Sequence, residues 1–346
     1  MTFNENSRVK LPSVLHLNRL GYQYLSLKGT VRDEGTNIFT DVFKESIAKI
    51  NPHIQEEDID RLLSEIRFAL ENEDMGKTFY ERLIDQSGHK IIDFTNFENN
   101  SFHVVTELTY KNGDDEFRPD IMLLINGMPL AFVEVKKPNN RNGLLVERDR
   151  INERFQNKKF RRFVNITQLM VFSNNMEYDQ SESSSLLAGA FYASPSYQNH
   201  DFNYFREEEA LDLSALLADE SEEMKNYVLK DNNLQIIKHN PEFITSKHAD
   251  TPTNRLLTSL FSKDRFKFIL GYAIACLKES LGWKKYVMRY PQIFATKAIA
   301  KTLDKGIKKG IIWHTQGSGK TALAFYNVKF LTDYFQQKKI IPKFYF

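Results

Sequence analysis

The sequence predicts an α/β protein in which a mixed sheet flanked by helices is followed by the beginning of a second α/β unit. Two amphipathic helical stretches precede a run of strands around Asn126-Gly127, a dipeptide typical of β-hairpin turns. Near the other end, a short apolar segment, a glycine-rich loop and a helix follow one another over 310–336, which is the order of a phosphate-binding unit. The chain has 346 residues, enough for about two domains.

The first predicted elements are two helices and three strands. Apolar residues recur at helical spacing over 37–50 and again over 56–72, so each segment buries one face. Residues 101–110 are β-branched and alternate in polarity, which favours a strand. Two further strands, at 121–125 and 130–135, flank the hairpin turn.

The later elements show less regular patterns. We predict a basic helix at 144–163, a buried strand at 169–172, a loop at 181–196, an acidic surface helix at 206–223, helices from about residue 253, a strand at 310–313, a helix at 320–336 and a strand from residue 340. The last strand is still running at Phe346, so we expect the chain to be a fragment of something longer. Residues 1–240 are assigned to the first domain, and 241–346 to a helical connection and the truncated start of the second.

Composition limits the class of protein. Lys and Arg number 47, Asp and Glu number 45, and the net charge of +2 means that any nucleic-acid surface must be a local patch. A single cysteine, Cys276, excludes an internal disulfide and fits a reducing compartment. The first residues lack a signal-peptide pattern, and the longest apolar run, 268–277, is too short to span a bilayer. These features predict a cytoplasmic protein.

Three charged residues lie in or beside strands that otherwise read as buried. Asp120 begins an apolar strand, and Glu134 and Lys136 interrupt the apolar run that ends the next one, where unpaired charges are costly. Two carboxylates can bind a hard cation such as Mg²⁺, and a lysine beside them can orient a water and stabilise negative charge. The pattern predicts metal-dependent phosphodiester cleavage, with Asp120 and Glu134 as metal ligands and Lys136 as the third catalytic residue.

The register of the hairpin decides whether these residues meet. A two-residue loop pairs Ile125 with Met128 and puts Asp120 opposite Val133, which leaves Glu134 on the other face of the sheet. A three-residue loop instead puts Asp120 opposite Glu134, close enough to share a cation. We predict the second arrangement, or a bulge with the same effect. The alternative is an ordinary hairpin with charged ends, or a structural Glu–Lys ion pair.

The glycine-rich loop is the second candidate site. A helix that begins Gly-Lys-Thr presents backbone N–H groups to phosphates, so Lys320 is predicted to contact the β- and γ-phosphates and Thr321 to bind Mg²⁺. The predicted nucleotide-binding residues of the loop are Thr315, Gly317, Ser318, Gly319, Lys320 and Thr321. His314 replaces the first glycine of the strict pattern, and the segment resembles the first motif of superfamily 2 helicases. Because no acidic Walker B motif follows, we expect ATP binding without turnover by this chain alone.

Two further groups of charged residues have an open role. Seven basic residues lie between 148 and 162: Arg148, Arg150, Arg154, Lys158, Lys159, Arg161 and Arg162. They are either a phosphate-contacting patch or a solvated helix face. Asp41 and Glu45, on the first predicted helix, are candidates for a further metal ligand, but the sequence favours a helix-surface role for each of them.

An ordered series of segments resembles the restriction (R) subunit of type I restriction-modification enzymes. The matching segments are Ile92-Asp93-Phe94, Asn99-Asn100, 102–107, Arg118-Pro119-Asp120-Ile121, 126–130, Glu134-Val135-Lys136, 168–173, Arg289-Tyr290-Pro291-Gln292 and 313–321. The resemblance implies a nuclease core of PD-(D/E)xK type, followed by a RecA-like motor domain of superfamily 2, with Gln292 recognising adenine. One departure concerns the family's Gln-x-x-x-Tyr pattern, for which the nearest candidate is Gln156 followed by Phe160.

The resemblance also implies an activity and partners. Members of the family are ATP-dependent site-specific deoxyribonucleases that cut double-stranded DNA with Mg²⁺ after ATP-driven translocation. They act in complexes with methyltransferase (M) and specificity (S) subunits. Two alternatives remain open from the sequence: a superfamily 2 translocase whose N-terminal docking domain does not cleave, and a non-enzymatic scaffold.

Overall fold

The computed structural model of the protein describes residues 4–138, 140, 142–178, 188–280 and 282–345. The strands are β1 Gln23–Tyr24, β2 Phe102–Thr106, β3 Tyr110–Asn112, β4 Asp115–Phe117, β5 Ile121–Ile125, β6 Met128–Val135, β7 Leu169–Ser173, β8 Ala190–Ala193, β9 Asn203–Tyr204, β10 Ile274–Glu279 and β11 Gly282–Val287. No helix of the described residues is both long and apolar enough to cross a bilayer.

Helices surround these strands. A π-helical turn at Asn6–Lys10 leads into α1. The α-helices are α1 Leu11–Arg19, α2 Thr40–Ile50, α3 Glu56–Ala69, α4 Lys77–Ile84, α5 Gly143–Gln156, α6 Arg161–Ile166, α7 Leu213–Leu216, α8 Glu222–Asp231, α9 Pro241–Ser246, α10 Pro252–Phe261, α11 Lys263–Tyr272, α12 Tyr290–Asp304 and α13 Lys320–Gln337. Short 3₁₀ turns lie at Phe97–Asn99, Lys158–Phe160 and Gln235–Ile237.

Among the described residues, seven strands form one mixed sheet in the order β1-β2-β5-β6-β7-β8-β9. The pairs β1–β2 and β6–β7 are parallel, and the other neighbours are antiparallel. Strands β5 and β6 are buried along their whole length, because helices cover both faces of the sheet. The prediction of a mixed sheet flanked by helices is confirmed.

Each face of the sheet has its own apolar core. Alternate residues of β5 and β6, such as Leu123 and Val133, join a large core with α1–α4, α10 and α11. The intervening residues, such as Met122 and Phe132, join a smaller, phenylalanine-rich core with α5 and α6. The second core lies on the face toward which Glu134 points, so α5 is the helix that approaches the candidate site.

Several predicted elements differ from those observed. The predicted strand 101–110 is divided, because Glu107 adopts a left-handed conformation with φ of 56° and turns the chain after β2. The predicted loop 181–196 lies partly outside the described residues, and β8 occupies its second half. The acidic segment 206–223 is mostly irregular, with α7 as its only complete helix among the described residues. The chain after residue 253 also contains the β10–β11 hairpin, which the helical prediction missed.

Two predicted strands near the end of the chain are wrong. Residues 310–313 and 340–345 have no regular structure, and Ile311 and Ile341 are 91% and 89% exposed. A strand exists only beside a pairing partner, and no described strand lies next to either segment. The predicted helix 320–336 agrees with α13.

Candidate active site and nucleotide-binding loop

A β-bulge sets the register between β5 and β6. Asn126 and Gly127 form a two-residue turn with φ of 50° and 76°, and Ile125 pairs with Met128. A two-residue loop by itself would put Asp120 and Glu134 on opposite faces of the sheet. The register then shifts between Leu123 and Leu124, because Leu130 is an extra residue in β6, and beyond the bulge Ile121 pairs with Val133. The bulge therefore places Asp120 opposite Glu134, which is the arrangement that we predict from the sequence.

As a result, Asp120 and Glu134 lie on the same face of the sheet. The carboxylates are within hydrogen-bonding range of each other, and Oδ2 of Asp120 also accepts a hydrogen bond of 2.9 Å from the backbone N–H of Val135. Glu134 is buried and Asp120 is half-buried. The structure thus brings together the two acids that the sequence analysis singled out.

Lys136 completes the group on the same face. Its Nζ lies 3.8 Å from Oε2 of Glu134 and donates a hydrogen bond of 3.0 Å to the carbonyl of Val135. A second carboxylate, Glu147 on α5, lies closer, at 3.1 Å from the same Nζ. The predicted triad of Asp120, Glu134 and Lys136 is therefore in contact.

Burial and charge shift the acid–base behaviour of this group. Burial raises the pKa of Glu134 well above its ordinary value, and the nearby Asp120 carboxylate raises it further. For Lys136, burial alone would lower the pKa, but the carboxylates of Glu134, Glu147 and Asp120 outweigh burial and raise it. A dication between Asp120 and Glu134 would relieve their mutual repulsion, and their oxygens suit a hard cation. Residues of this chain therefore fit Mg²⁺, although the described part contains no cluster of three or more metal-binding side chains.

The two upstream acids have the helix-surface position that the sequence favours for them. Asp41 and Glu45 are exposed on α2, whose start contacts the hairpin turn through a 2.9 Å hydrogen bond from the N–H of Phe39 to the carbonyl of Gly127. That turn is about 20 Å along β6 from Glu134. Glu5, at the start of the chain, is near the site instead: burial raises its pKa, and the charges of Lys136 and Asp120 also act on it.

The helix after the core lysine contributes a residue that the sequence analysis missed. Glu147 is almost completely buried beside Lys136, whereas Gln156 is exposed at the end of α5 and Phe160 packs against Tyr110 in the core. Gln156 and Phe160 therefore do not belong to the site. The sequence signal for Glu147 was a carboxylate eleven residues after Lys136 on a predicted helix. Spacing alone, however, does not show which face of the helix packs against the strand.

The seven basic residues between 148 and 162 have partners within the protein. Their partners are Asp149 for Arg148, Glu147 for Arg150, Glu73 for Lys158 and Arg161, Asp115 for Lys159, and Glu71 for Arg162. Arg154 lies over the ring of Phe117 at 4.7 Å. Several of these basic side chains are exposed, and exposed ion pairs are weak, so both the phosphate-contacting patch and the solvated helix face stay open.

The glycine-rich loop leads directly into α13. Gly317 and Gly319 have φ of 77° and 82°, so the loop uses backbone conformations that other residues rarely adopt. Nζ of Lys320 donates to the carbonyl of Thr315 at 3.1 Å, inside its own loop. The Oγ of Ser318 is buried without a hydrogen-bond partner among the described residues, which is consistent with a loop shaped for an anionic ligand.

Gln292 contacts this loop from α12. Its Nε2 donates a hydrogen bond of 3.0 Å to the carbonyl of Gly319, while its Oε1 accepts from the backbone N–H of Arg289. Arg289 in turn donates to the carbonyl of Gly317 at 3.1 Å. Gln292 and Gly319 are 27 residues apart in the sequence, so the fold brings the two motifs into contact. Both border a cavity of about 750 Å³, which Thr321 also lines.

Comparisons with known proteins match two parts of the chain to two families. The family described as type I restriction enzyme R protein N terminus matches residues 2–179, and the family described as SWI2/SNF2 ATPase matches residues 291–342. The putative type I restriction enzyme MjaIXP endonuclease subunit of Methanocaldococcus jannaschii is 27% identical over 95% of this chain and 31% of the relative. The type I restriction enzyme HindI endonuclease subunit of Haemophilus influenzae is 23% identical over 95% of this chain and 30% of the relative.

This chain therefore spans about a third of the length of these relatives. The match to the R protein N terminus covers more than half of the chain and includes Asp120, Glu134 and Lys136. The chain belongs to the family of type I restriction enzyme R proteins.

Proposed function

We propose that this chain forms the nuclease and nucleotide-binding part of a restriction subunit that cuts double-stranded DNA with Mg²⁺. The observation that carries the proposal is the bulge at Leu130, which turns Asp120 and Glu134 onto one face beside Lys136. A buried carboxylate beside a half-buried one is unfavourable unless the two have a ligand or a counter-charge. The bulge interrupts the regular strand pairing and thereby brings the two carboxylates onto one face. This cost to the sheet supports a functional rather than a structural role for the two carboxylates.

Asp120 and Glu134 would hold the cation through their carboxylate oxygens. When bound, Mg²⁺ supplies polarisation of the phosphoryl oxygen and a more acidic water. The N–H of Val135 fixes one oxygen of Asp120, so the acid presents its remaining lone pairs to the ligand. Lys136 would orient the attacking water and stabilise the negative charge that develops on the phosphate. This arrangement is of the PD-(D/E)xK type.

The second site would bind ATP at the start of a RecA-like domain. Lys320 would exchange its hydrogen bonds to the loop carbonyls for contacts with the phosphates. Thr321 would be a ligand of Mg²⁺, and Gln292 would recognise the adenine. The match to an ATPase family over this segment and the contacts of Gln292 with the loop support this assignment. On the ground of family membership, we extend the same proposal to coupling with DNA translocation and to assembly with M and S subunits.

The test is nicking of supercoiled plasmid by this chain in the presence of Mg²⁺. The wild-type chain is expected to nick the plasmid, and Lys136→Ala to lose at least about a hundredfold in rate. Lys49→Ala is the matched control, because Lys49 is an exposed lysine on α2, far from the site. Cleavage that survives Lys136→Ala would refute the assignment. Binding of ATP by a wild-type chain that never nicks DNA would favour the non-cleaving translocase.

A further inference from the structure

Glu147 is a buried carboxylate between two cations. Its side chain is 1% exposed, and Oε2 lies 3.1 Å from Nζ of Lys136 and 3.0 Å from Nη1 of Arg150. Arg150 is half-exposed and lies on the solvent side of the Glu147 carboxylate, whereas Lys136 lies on its protein side. A carboxylate buried this deeply is tolerated because the two cations compensate its negative charge.

The helix holds Glu147 rigidly in this place. Glu147, Ile151 and Phe155 recur every four residues and are all buried, so they form the inward face of α5. At the start of the helix, a Cβ on Gly143 would lie 3.2 Å from the Cβ of Lys136. The first turn of α5 therefore packs directly against the lysine, and the position of Glu147 relative to Lys136 is set by packing.

Two carboxylates, those of Glu147 and Glu134, compete for the ammonium of Lys136. Glu147 is the nearer, at 3.1 Å, and Glu134 is at 3.8 Å. Without Glu147, the strongest attraction on the flexible lysine would come from Glu134 and Asp120, the acids assigned to the metal. The lysine would then turn onto them and compete with the cation for their oxygens.

We propose that Glu147 is a positioning residue that holds Lys136 beside the carboxylate pair without letting it pair fully with Glu134. This inference rests on the proposed nuclease function. Glu147 itself contacts neither metal nor DNA in this scheme. It acts through Lys136, and Arg150 keeps its carboxylate in place.

The experiment compares Glu147→Gln with Glu153→Gln in the plasmid-nicking assay. Both variants remove one negative charge from α5, but Glu153 is exposed. We expect Glu147→Gln to lower kcat about 10- to 100-fold with little change in KM for DNA, and Glu153→Gln to match the wild type. Glu147→Gln should also lower Tm, because it removes the buried partner of Lys136 and Arg150. In a Lys136→Ala background, Glu147→Gln should cause no further loss. A purely structural residue would instead add its effect to that of Lys136→Ala.

A crystal structure of Glu147→Gln separates failure of this inference from failure of the proposed function. We expect Nζ of Lys136 to leave residue 147 and to move onto the carboxylates of Glu134 and Asp120. An unmoved Nζ, or a variant with wild-type kcat, would overturn the positioning role. If the wild-type chain does not cleave DNA at all, the nuclease proposal fails, while the movement of Nζ still decides whether Glu147 positions the lysine.

Discussion

The backbone N–H of Val135 donates a 2.9 Å hydrogen bond to Oδ2 of Asp120. The bond ties an acid that precedes one strand to the backbone at the end of the next, so the carboxylate cannot swing away from Glu134. It exists only because the bulge at Leu130 advances the register by one residue. The geometry of the site therefore depends on backbone pairing as much as on the acids themselves.

The first prediction concerns the cost of the carboxylate pair. Burial and the facing Asp120 raise the pKa of Glu134, so at neutral pH its ionised form opposes folding. We expect Glu134→Gln to stabilise the protein by about 1 kcal/mol and to abolish the increase in Tm that Mg²⁺ gives the wild type. Thermal unfolding with and without Mg²⁺ measures both effects. Glu45→Gln, on the exposed side of α2, serves as the control and should change neither.

The second prediction concerns the hairpin turn. A Cβ on Gly127 would lie 2.6 Å from the carbonyl oxygen of Phe39 and 2.9 Å from the N of Phe43, and both are backbone atoms that cannot yield easily. We expect Gly127→Ala to cost about 3 kcal/mol of unfolding free energy, measured by urea denaturation. Gly29 has almost the same φ with open space around it, so Gly29→Ala should cost only about 1 kcal/mol. Equal effects would show that the close approach of α2 is unimportant.

The third prediction concerns the glycine-rich loop. Because Lys320 is predicted to bind phosphates, Lys320→Ala should weaken ATP binding about a hundredfold, which corresponds to about 2.7 kcal/mol. Isothermal titration of the chain with a non-hydrolysable ATP analogue measures the affinity. Lys308→Ala, at an exposed position upstream of the loop, should bind like the wild type. Unchanged affinity in Lys320→Ala would exclude the loop as the nucleotide site.

The fourth prediction concerns the acidic segment, which is a structural contact rather than a free surface. Glu209 pairs with Arg265 at 3.0 Å and with Lys301 at 2.5 Å, and also with Lys297. Burial alone would raise the pKa of Glu209, but these cations outweigh burial and lower it from 4.5 to about 2. The ionised carboxylate therefore stabilises the fold above pH 4.5, and this contribution is lost as the pH falls toward about 2.

Glu209→Gln tests this contact. The variant should lose about 2 kcal/mol at pH 7, and its stability should fall less steeply than that of the wild type between pH 4.5 and about 2. Urea denaturation across this pH range measures the difference. The neighbouring Glu208 is exposed and pairs locally with Arg206, so Glu208→Gln should follow the wild-type pH profile. A parallel pH profile for Glu209→Gln would contradict the prediction.

Local patterns were sufficient for elements with a strong period or a special turn. Helices α2 and α3, the strands of the central hairpin and the start of α13 all lie close to their predicted positions, since each buries an apolar face that the sequence displays. The missed elements depend on neighbours. The β10–β11 hairpin lacks a turn signal as strong as Asn-Gly, and the strands predicted at 310–313 and from 340 have no partner strand among the described residues.

The sequence by itself determined which residue types were available for chemistry: two acids and a lysine on consecutive strands, and a glycine-rich loop before a helix. Tertiary structure alone decided which of them meet. The shift at Leu130 selected the face on which Asp120 lies, the packing of α5 brought Glu147 to Lys136, and α12 carried Gln292 to Gly319. The physical reason is that side-chain identity is local, whereas strand register and helix placement follow from burying both faces of one sheet.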